Sequence, residues 1–80
     1  MHTYHAVRNR ILMLCNQHNL TIGKLITLSA LPPSSIKNIL YGRSTNPSII
    51  TIKKICDGFG ITLGEFFSSA EFDNLEQEIQ

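Results

Sequence analysis

Apolar residues recur at helical spacing along most of this 80-residue chain. The first such stripe places four residues at i, i+4, i+7 and i+8: Val7, Ile11, Leu14 and Cys15. Residues at that spacing share one face of an α-helix. The pattern predicts a first helix from about Thr3 or Tyr4 to His18, with Thr3 as its N-cap and Asn19 as a left-handed stop.

The stretch from Thr21 to Gly42 predicts two short helices joined by a tight bend. Thr21 is suited to cap a second helix over residues 22–29. Pro33 suits the first position of a third helix that ends at Gly42. One face of the third helix is apolar, through Ile36, Ile39 and Leu40. Its other face carries hydroxyl, amide and amine groups without any acid: Ser34, Ser35, Lys37, Asn38 and Tyr41.

A fourth helix is predicted after the polar loop of residues 43–47. Ser48 caps it, and its apolar face consists of Ile49, Ile52, Ile55, Cys56 and Phe59. We expect it to run to Asp57 or Gly58, because Gly58 and Gly60 are helix breakers. No alternation of apolar and polar residues is long enough to predict a strand.

A fifth helix opens at Leu63, because Thr62 and Glu65 form the T-x-x-E pattern of a capping box. The tail, residues 68–80, is acidic and carries Phe72, Leu75 and Ile79 at i, i+3 and i+7. This weak amphipathic pattern leaves three interpretations open: a docked helix, a helix that binds a partner, or a frayed end.

Length and composition indicate one domain. The chain is 42% hydrophobic, which is ample for a globular core. No apolar run approaches the roughly 18–20 residues that a membrane span needs. The first ten residues lack the apolar segment of a signal peptide. We therefore expect a cytoplasmic protein without a membrane partner.

Catalytic and metal-binding residues do not form a recognisable set. Cys15 and Cys56 both fall on apolar helix faces, so we expect reduced, buried thiols. Cys15 and His18 are half of a metal site, but no second such pair exists. The other histidines, His2 and His5, have no acids near them in the sequence. The sequence predicts neither an enzyme nor a cofactor.

Charge is divided between the two ends of the chain. All seven basic residues lie before residue 55, and all six acids lie after it: Arg8, Arg10, Lys24, Lys37, Arg43, Lys53 and Lys54, against Asp57, Glu65, Glu71, Asp73, Glu76 and Glu78. A cationic front half indicates a polyanionic partner. On the first helix, Arg8 lies at the flank of the apolar stripe, and we expect Arg10 to point toward solvent.

Residues ~5–67 resemble the Xre-type helix-turn-helix domains of phage Cro and repressor proteins. The agreement lies in Leu25, Ser35-Ile36, Ile39, Gly42-Arg43, Asn46-Pro47-Ser48, Ile52, Ile55-Cys56, Phe59 to Leu63 and Phe66-Phe67. Three positions depart from the family pattern. Ile22 replaces a glutamine that anchors a phosphate, Ala30 replaces the turn glycine, and Ile26 replaces an alanine. Ala30 must adopt a strained or altered turn, and Ile26 must fill space between helices 2 and 3.

The resemblance implies an all-α, compact five-helix, lambda-repressor-like DNA-binding domain over residues 1–67, with the helix-turn-helix at helices 2 and 3. Helix 3 would enter the major groove of double-stranded DNA. Its predicted contacts to base edges are Pro33, Ser34, Lys37 and Asn38. The predicted phosphate contacts are Thr21, Lys24, Ser35, Tyr41, Arg43, Ser44 and Asn46. Lys53 and Lys54 are looser candidates.

The function that follows is a sequence-specific transcriptional regulator, of repressor type, acting as a homodimer. One helix contacts too few base pairs to select a genomic site alone. We predict the dimer surface at Phe66, Phe72, Leu75 and Ile79. The alternative is a protein-interaction module, such as an antitoxin or a repressor partner, in which DNA binding is secondary or lost. In either case the acidic tail is available to a protein partner.

Overall fold

The computed structural model describes residues 2–79, which form six helices and no strand. The helices are α1 (Thr3–Gln17), α2 (Ile22–Ser29), α3 (Pro33–Leu40), α4 (Ile49–Phe59), α5 (Leu63–Phe67) and α6 (Ala70–Asp73). The all-α architecture with a helix-turn-helix at α2 and α3 is confirmed, with α6 as an additional short helix. None of these helices has the length and apolar character that a membrane crossing requires.

Three predicted N-caps are present and set the starts of α2, α4 and α5. The side chains of Thr21, Ser48 and Thr62 each accept a hydrogen bond from the backbone N–H three residues later, at 3.0–3.1 Å. At Thr62 the capping box is complete, because Glu65 Oε1 accepts in return from the Thr62 N–H (3.0 Å). Each bond satisfies an N–H that the helix itself cannot pair.

Left-handed backbone conformations occur where the chain leaves a helix. Asn19 has φ 54° after α1, and Ala30 has φ 56° after α2. Gly42 and Gly60 have φ 79° and 74° after α3 and α4. The expectation of a strained turn at Ala30 is confirmed, because an L-residue with a Cβ is disfavoured in this region.

The core is one cluster made by the apolar stripes of α1 to α5. Its fully buried members include Ile11, Leu25, Ile36, Ile55 and Phe66. Ile22 and Ile26 of α2 pack against its edge, as do Leu31 and Ile61 in the two turns that follow α2 and α4. Ile26 is therefore half-buried against the core.

Two local predictions about helix boundaries are wrong. Thr3 does not cap α1, because it is the first residue of that helix and His2 precedes it without a side-chain cap. Gly58 does not break α4, which continues to Phe59. A Cβ at Gly58 would lie 3.2 Å from the Ser29 backbone nitrogen and 3.3 Å from Leu25 Cδ1. The glycine at this position therefore permits α2 and α4 to approach closely.

The tail folds back onto α1, but its helix covers Ala70–Asp73 alone, so Phe72, Leu75 and Ile79 do not form the single amphipathic helix that their spacing suggested. Phe72 of α6 packs against Phe67 and Phe66, with ring centroids 5.0 and 6.1 Å apart. Glu71 Oε2 accepts from Asn9 Nδ2 (3.0 Å), and Glu78 Oε2 accepts from the Thr3 N–H (3.0 Å). Met1 and Gln80, at the ends of the predicted ranges 1–67 and 68–80, lie outside the described residues.

Two side-chain predictions are corrected by this packing. Arg10 does not point freely into solvent, because its Nε donates to the Phe66 carbonyl (2.7 Å) and its Nη2 to the Glu65 carbonyl (2.8 Å). Phe66 is 0% exposed and belongs to the core of the single chain, so it offers no area to a dimer surface. The aromatic ring fills the space between α5, α6 and the interior.

Candidate nucleic-acid interface

The outer face of α3 is the first component of the candidate interface. Pro33, Ser34 and Lys37 are exposed, and Ser35 and Asn38 are half-buried. Pro33 starts the helix, and no side chain caps it, so the first turn is not covered by a capping group. All four predicted base contacts therefore lie on one short helix, with hydroxyl, ammonium and amide donors that face outward.

A cluster of three side chains forms at the end of α3. Arg43 Nη1 donates to Asn38 Oδ1 (3.1 Å), and the Arg43 guanidinium lies 5.5 Å from the centre of the Tyr41 ring. The contact with Tyr41 is a cation–π interaction, and Tyr41 is 66% exposed. Asn38 and Arg43 thus lie on the same side of the helix, as the DNA-binding hypothesis requires.

The Arg43 contact changes what Asn38 can do. A bidentate bond to adenine needs both the amide oxygen and the amide nitrogen of asparagine. In this structure the Asn38 oxygen already accepts from Arg43. Its Nδ2 donors make no hydrogen bond within residues 2–79. Asn38 can therefore donate to a base through Nδ2 without rearrangement, and one lone pair of its Oδ1 remains for a second donor.

A polar cleft of about 350 Å³ separates α3 from the start of α4. Its lining includes four residues predicted to contact DNA: Ser35, Asn38, Ser44 and Asn46. The loop is fixed there, since the N–H groups of Arg43 and Ser44 both donate to the Asn38 carbonyl, at 2.9 and 3.0 Å. Hydroxyl and amide groups are thus gathered beside the reading face of α3.

The amino end of α4 borders the same cleft through Ser48 and Thr51, which sequence reasoning did not select for DNA contact. Within the described chain, the N–H groups of Ile49 and Ile50 donate to no protein acceptor. Free N–H groups and the helix dipole both favour an anion at such an end. The sequence predicted the start of α4 from the cap at Ser48, but it did not indicate that this start lies close to α3.

The start of α2 places Thr21 and Lys24 at the surface, both exposed. Thr21 Oγ1 accepts from the Lys24 N–H, so its hydroxyl hydrogen remains available to donate. Ile22, by contrast, packs against the core. A side chain that faces inward cannot take the phosphate-anchoring role of the glutamine it replaces.

The seven basic residues divide into two groups. Arg8 and Arg10 donate to backbone carbonyls of α3 and α5, and Lys53 pairs with Asp57 one turn along α4. Within residues 2–79, Lys53 is the one lysine or arginine with an acidic partner. Unlike Arg8 and Arg10, the exposed side chains of Lys24, Lys37, Arg43 and Lys54 hold no backbone carbonyl, so these four are the cations that are free to approach a polyanion.

The two cysteines are free and buried, as expected. Burial raises the pKa of both thiols, Cys15 and Cys56, which keeps them protonated and unreactive. Within the described range, no three His, Cys, Asp or Glu side chains are grouped so as to hold a metal.

Comparison with known proteins gives two matches. The model of the Cro/C1-type HTH DNA-binding domain family matches residues 10–69. The crystal structure of the prophage Lp1 protein 11 is similar, with a TM-score of 0.81 and 32% identity, over 92% of this chain and 97% of that chain. No curated protein sequence gave a significant match. The family match begins within α1, covers α2 to α5 and includes every predicted DNA contact.

Proposed function

This chain belongs to the family of Cro/C1-type helix-turn-helix DNA-binding domains, and we propose that it is a sequence-specific transcriptional repressor that reads the major groove with α3. The observation that carries the proposal is the outward face of α3. It holds Pro33, Ser34 and Lys37 in exposed positions beside the polar cleft. The groove admits a single α-helix, and this is the helix whose exposed face is rich in donors.

Each reading residue has a chemical role in the proposal. Lys37 donates to the O6 and N7 acceptors of guanine. Asn38 donates through Nδ2, and Ser34 bonds either kind of base edge. Pro33 makes an apolar contact with a thymine methyl group.

Phosphate contacts flank α3 on both sides in this proposal. On one side, Ser35, Ser44 and Asn46 act from the cleft together with the N–H groups at the start of α4. Arg43 and Tyr41 act from the end of α3, and Thr21 and Lys24 from the start of α2. Such contacts position the domain on the duplex and provide most of the salt-dependent affinity.

We further propose that two copies bind a palindromic operator, with half-sites about 34 Å apart or a multiple of that. A few base contacts of roughly 1–3 kcal/mol each do not select one genomic site. With Phe66 buried, the proposed dimer surface reduces to Phe72, Leu75 and Ile79 of residues 68–79. Ile79 is 80% exposed. Sedimentation that shows only monomers at high protein concentration would exclude this dimer.

The test of the reading helix compares Lys37→Ala with Lys54→Ala on an operator selected by the wild-type protein from random duplexes. Lys37→Ala should relax base preference at one position, by about 1–3 kcal/mol. Lys54→Ala should weaken binding to all duplexes alike and reduce the salt slope by about 1. If the two variants behave identically, α3 is not the reader.

One observation favours the second candidate, a protein-interaction module such as an antitoxin. Ile22 packs inward at a position where the resemblance implies a phosphate anchor. The acidic residues 68–79 would then serve a protein partner. A mobility shift with random DNA at low salt separates the two functions, because the module predicts no retardation.

A further inference from the structure

The last carbonyl groups of α3 are all paired, and two of the partners come from α1. Backbone N–H groups of the following loop donate to the carbonyls of Lys37 and Asn38 and, at 3.3 Å, to that of Ile39. Tyr4 Oη donates to the Ile39 carbonyl (2.7 Å), and Arg8 Nε donates to the Leu40 carbonyl (2.9 Å). A helix cannot pair these four carbonyls itself, so each contact fixes the end of α3 in place.

We propose that Tyr4 and Arg8 are positioning residues for DNA recognition, which set the direction of α3 without contacting the bases. This inference rests on the proposed function. Tyr4 and Arg8 lie one turn apart on α1 and hold two successive carbonyls. Ile36 and Ile39 hold one face of α3 in the core, and the two anchor points at its carboxyl end restrict its direction relative to α1 further.

The length of α3 makes its direction important. Eight residues span about 12 Å, so a tilt of about 10° at the carboxyl end moves the amino end by about 2 Å. Recognition requires side chains to stay within roughly 0.5 Å of their productive positions. Pro33 and Ser34 lie at the amino end, where the displacement is greatest, and Lys37 lies in the last turn, where it is smaller.

Arg10 provides a matched control on the same helix. It makes the same kind of contact as Arg8, but to the carbonyls of Glu65 and Phe66 at the end of α5. Neither Arg10 nor α5 contributes to the proposed reading face or to the polar cleft. Replacing either arginine by lysine keeps the charge and removes the planar guanidinium that fits the carbonyl.

The experiment measures the affinity ratio between the selected operator and a scrambled duplex of equal length, for Tyr4→Phe, Arg8→Lys and Arg10→Lys. Loss of folded protein lowers both affinities by the same factor and leaves the ratio unchanged. We expect Tyr4→Phe and Arg8→Lys to lower the ratio about fivefold, since each loses one hydrogen bond that orients α3. We expect Arg10→Lys to preserve it.

Amide hydrogen exchange provides an independent readout on the free protein. Tyr4→Phe should accelerate exchange at Tyr41 to Ser44, which close the end of α3, but Arg10→Lys should not. If Arg8→Lys does not fold, Tyr4→Phe decides the question, because it removes one oxygen atom and keeps the ring. An unchanged ratio in Tyr4→Phe overturns the inference alone. A wild-type protein that does not distinguish the two duplexes overturns the proposed function and the inference with it.

Discussion

The helix pairs α2–α3 and α4–α5 are connected by similar turns, but α3 presents exposed polar side chains whereas α5 contributes Phe66 to the core. In each pair, a left-handed residue ends the first helix: Ala30 after α2 and Gly60 after α4. A half-buried apolar residue follows, and then the residue at the N-cap position of the second helix. Arg8 of α1 holds the end of α3, and Arg10 of α1 holds the end of α5.

The α4–α5 pair follows the local rules for stability more closely. Its turn has a glycine at the left-handed position, and the N–H groups of Gly60 and Ile61 donate at 3.1 and 3.0 Å. A complete capping box at Thr62 then starts α5. In the α2–α3 pair an alanine takes the left-handed position, its N–H donates at 3.4 Å, and no side chain caps α3.

This difference coincides with the proposed function. The pair with weaker local structure carries the exposed face that we propose as the reader, and the pair with stronger local structure contributes Phe66 to the core. Departures from local rules are expected at functional sites, where exposed groups must remain free for a ligand. The first turn of α3 fits this expectation, because capping groups there would compete with DNA.

The largest expected contrast is between aromatic residues at the ends of α5 and α3. Phe66→Ala should lower the free energy of unfolding by about 3–5 kcal/mol, because it leaves a cavity in the core. Tyr41→Ala should lower it by less than about 1 kcal/mol, since it removes an exposed ring and one cation–π contact. Urea denaturation measures both. Equal losses of unfolding free energy would mean that Tyr41 stabilises the end of α3 as much as Phe66 stabilises the end of α5.

A smaller contrast comes from exchanging the residues at the two left-handed positions. Gly60→Ala should destabilise the protein by about 1 kcal/mol, because φ 74° is strained for alanine. Ala30→Gly should stabilise it by about 0.5–1 kcal/mol, since the relieved strain exceeds the entropy cost of glycine. Thermal unfolding of the two variants shows whether each substitution raises or lowers the stability. If Ala30→Gly also destabilises, the turn before α3 is not strained.

The smallest expected effect concerns the contact of the tail with α1, which has no equivalent at α3. The Thr3 N–H lowers the pKa of Glu78 below its ordinary value of 4.5. A lowered folded-state pKa means that the contact contributes at neutral pH and is lost as pH falls through that pKa, below 4.5.

Nuclear magnetic resonance should show the Thr3 amide shift changing with pH in this acidic range. Glu78→Gln should abolish that change, and Glu76→Gln serves as the control on a neighbouring exposed acid. If the Thr3 amide shift changes with pH in the same way in Glu78→Gln, a group other than Glu78 causes that change.

Local sequence signals identified most of the helix starts and the turns. The caps at Thr21, Ser48 and Thr62 and the left-handed Asn19 are each determined by residues within a few positions along the chain, whereas the turn at Ala30 was expected from the family resemblance. Helical periodicity identified most residues of the core, but it placed Ile49, which is 56% exposed, on the apolar face of α4. These features depend on backbone hydrogen bonding and side-chain spacing, which a short stretch of sequence determines.

Only the tertiary structure decided the roles of residues whose partners are far away in the sequence. Arg8 and Arg10 have the same charge, yet packing directs them to the ends of different helices, 32 and 56 residues away. The sequence predicts Gly58 as a helix breaker, but in the structure its lack of a side chain allows α2 to pack closely against α4. The sequence predicts Phe66 as a dimer contact, but in the structure α6 covers it. In each case, the partner is brought near by packing of the whole chain, which no local pattern encodes.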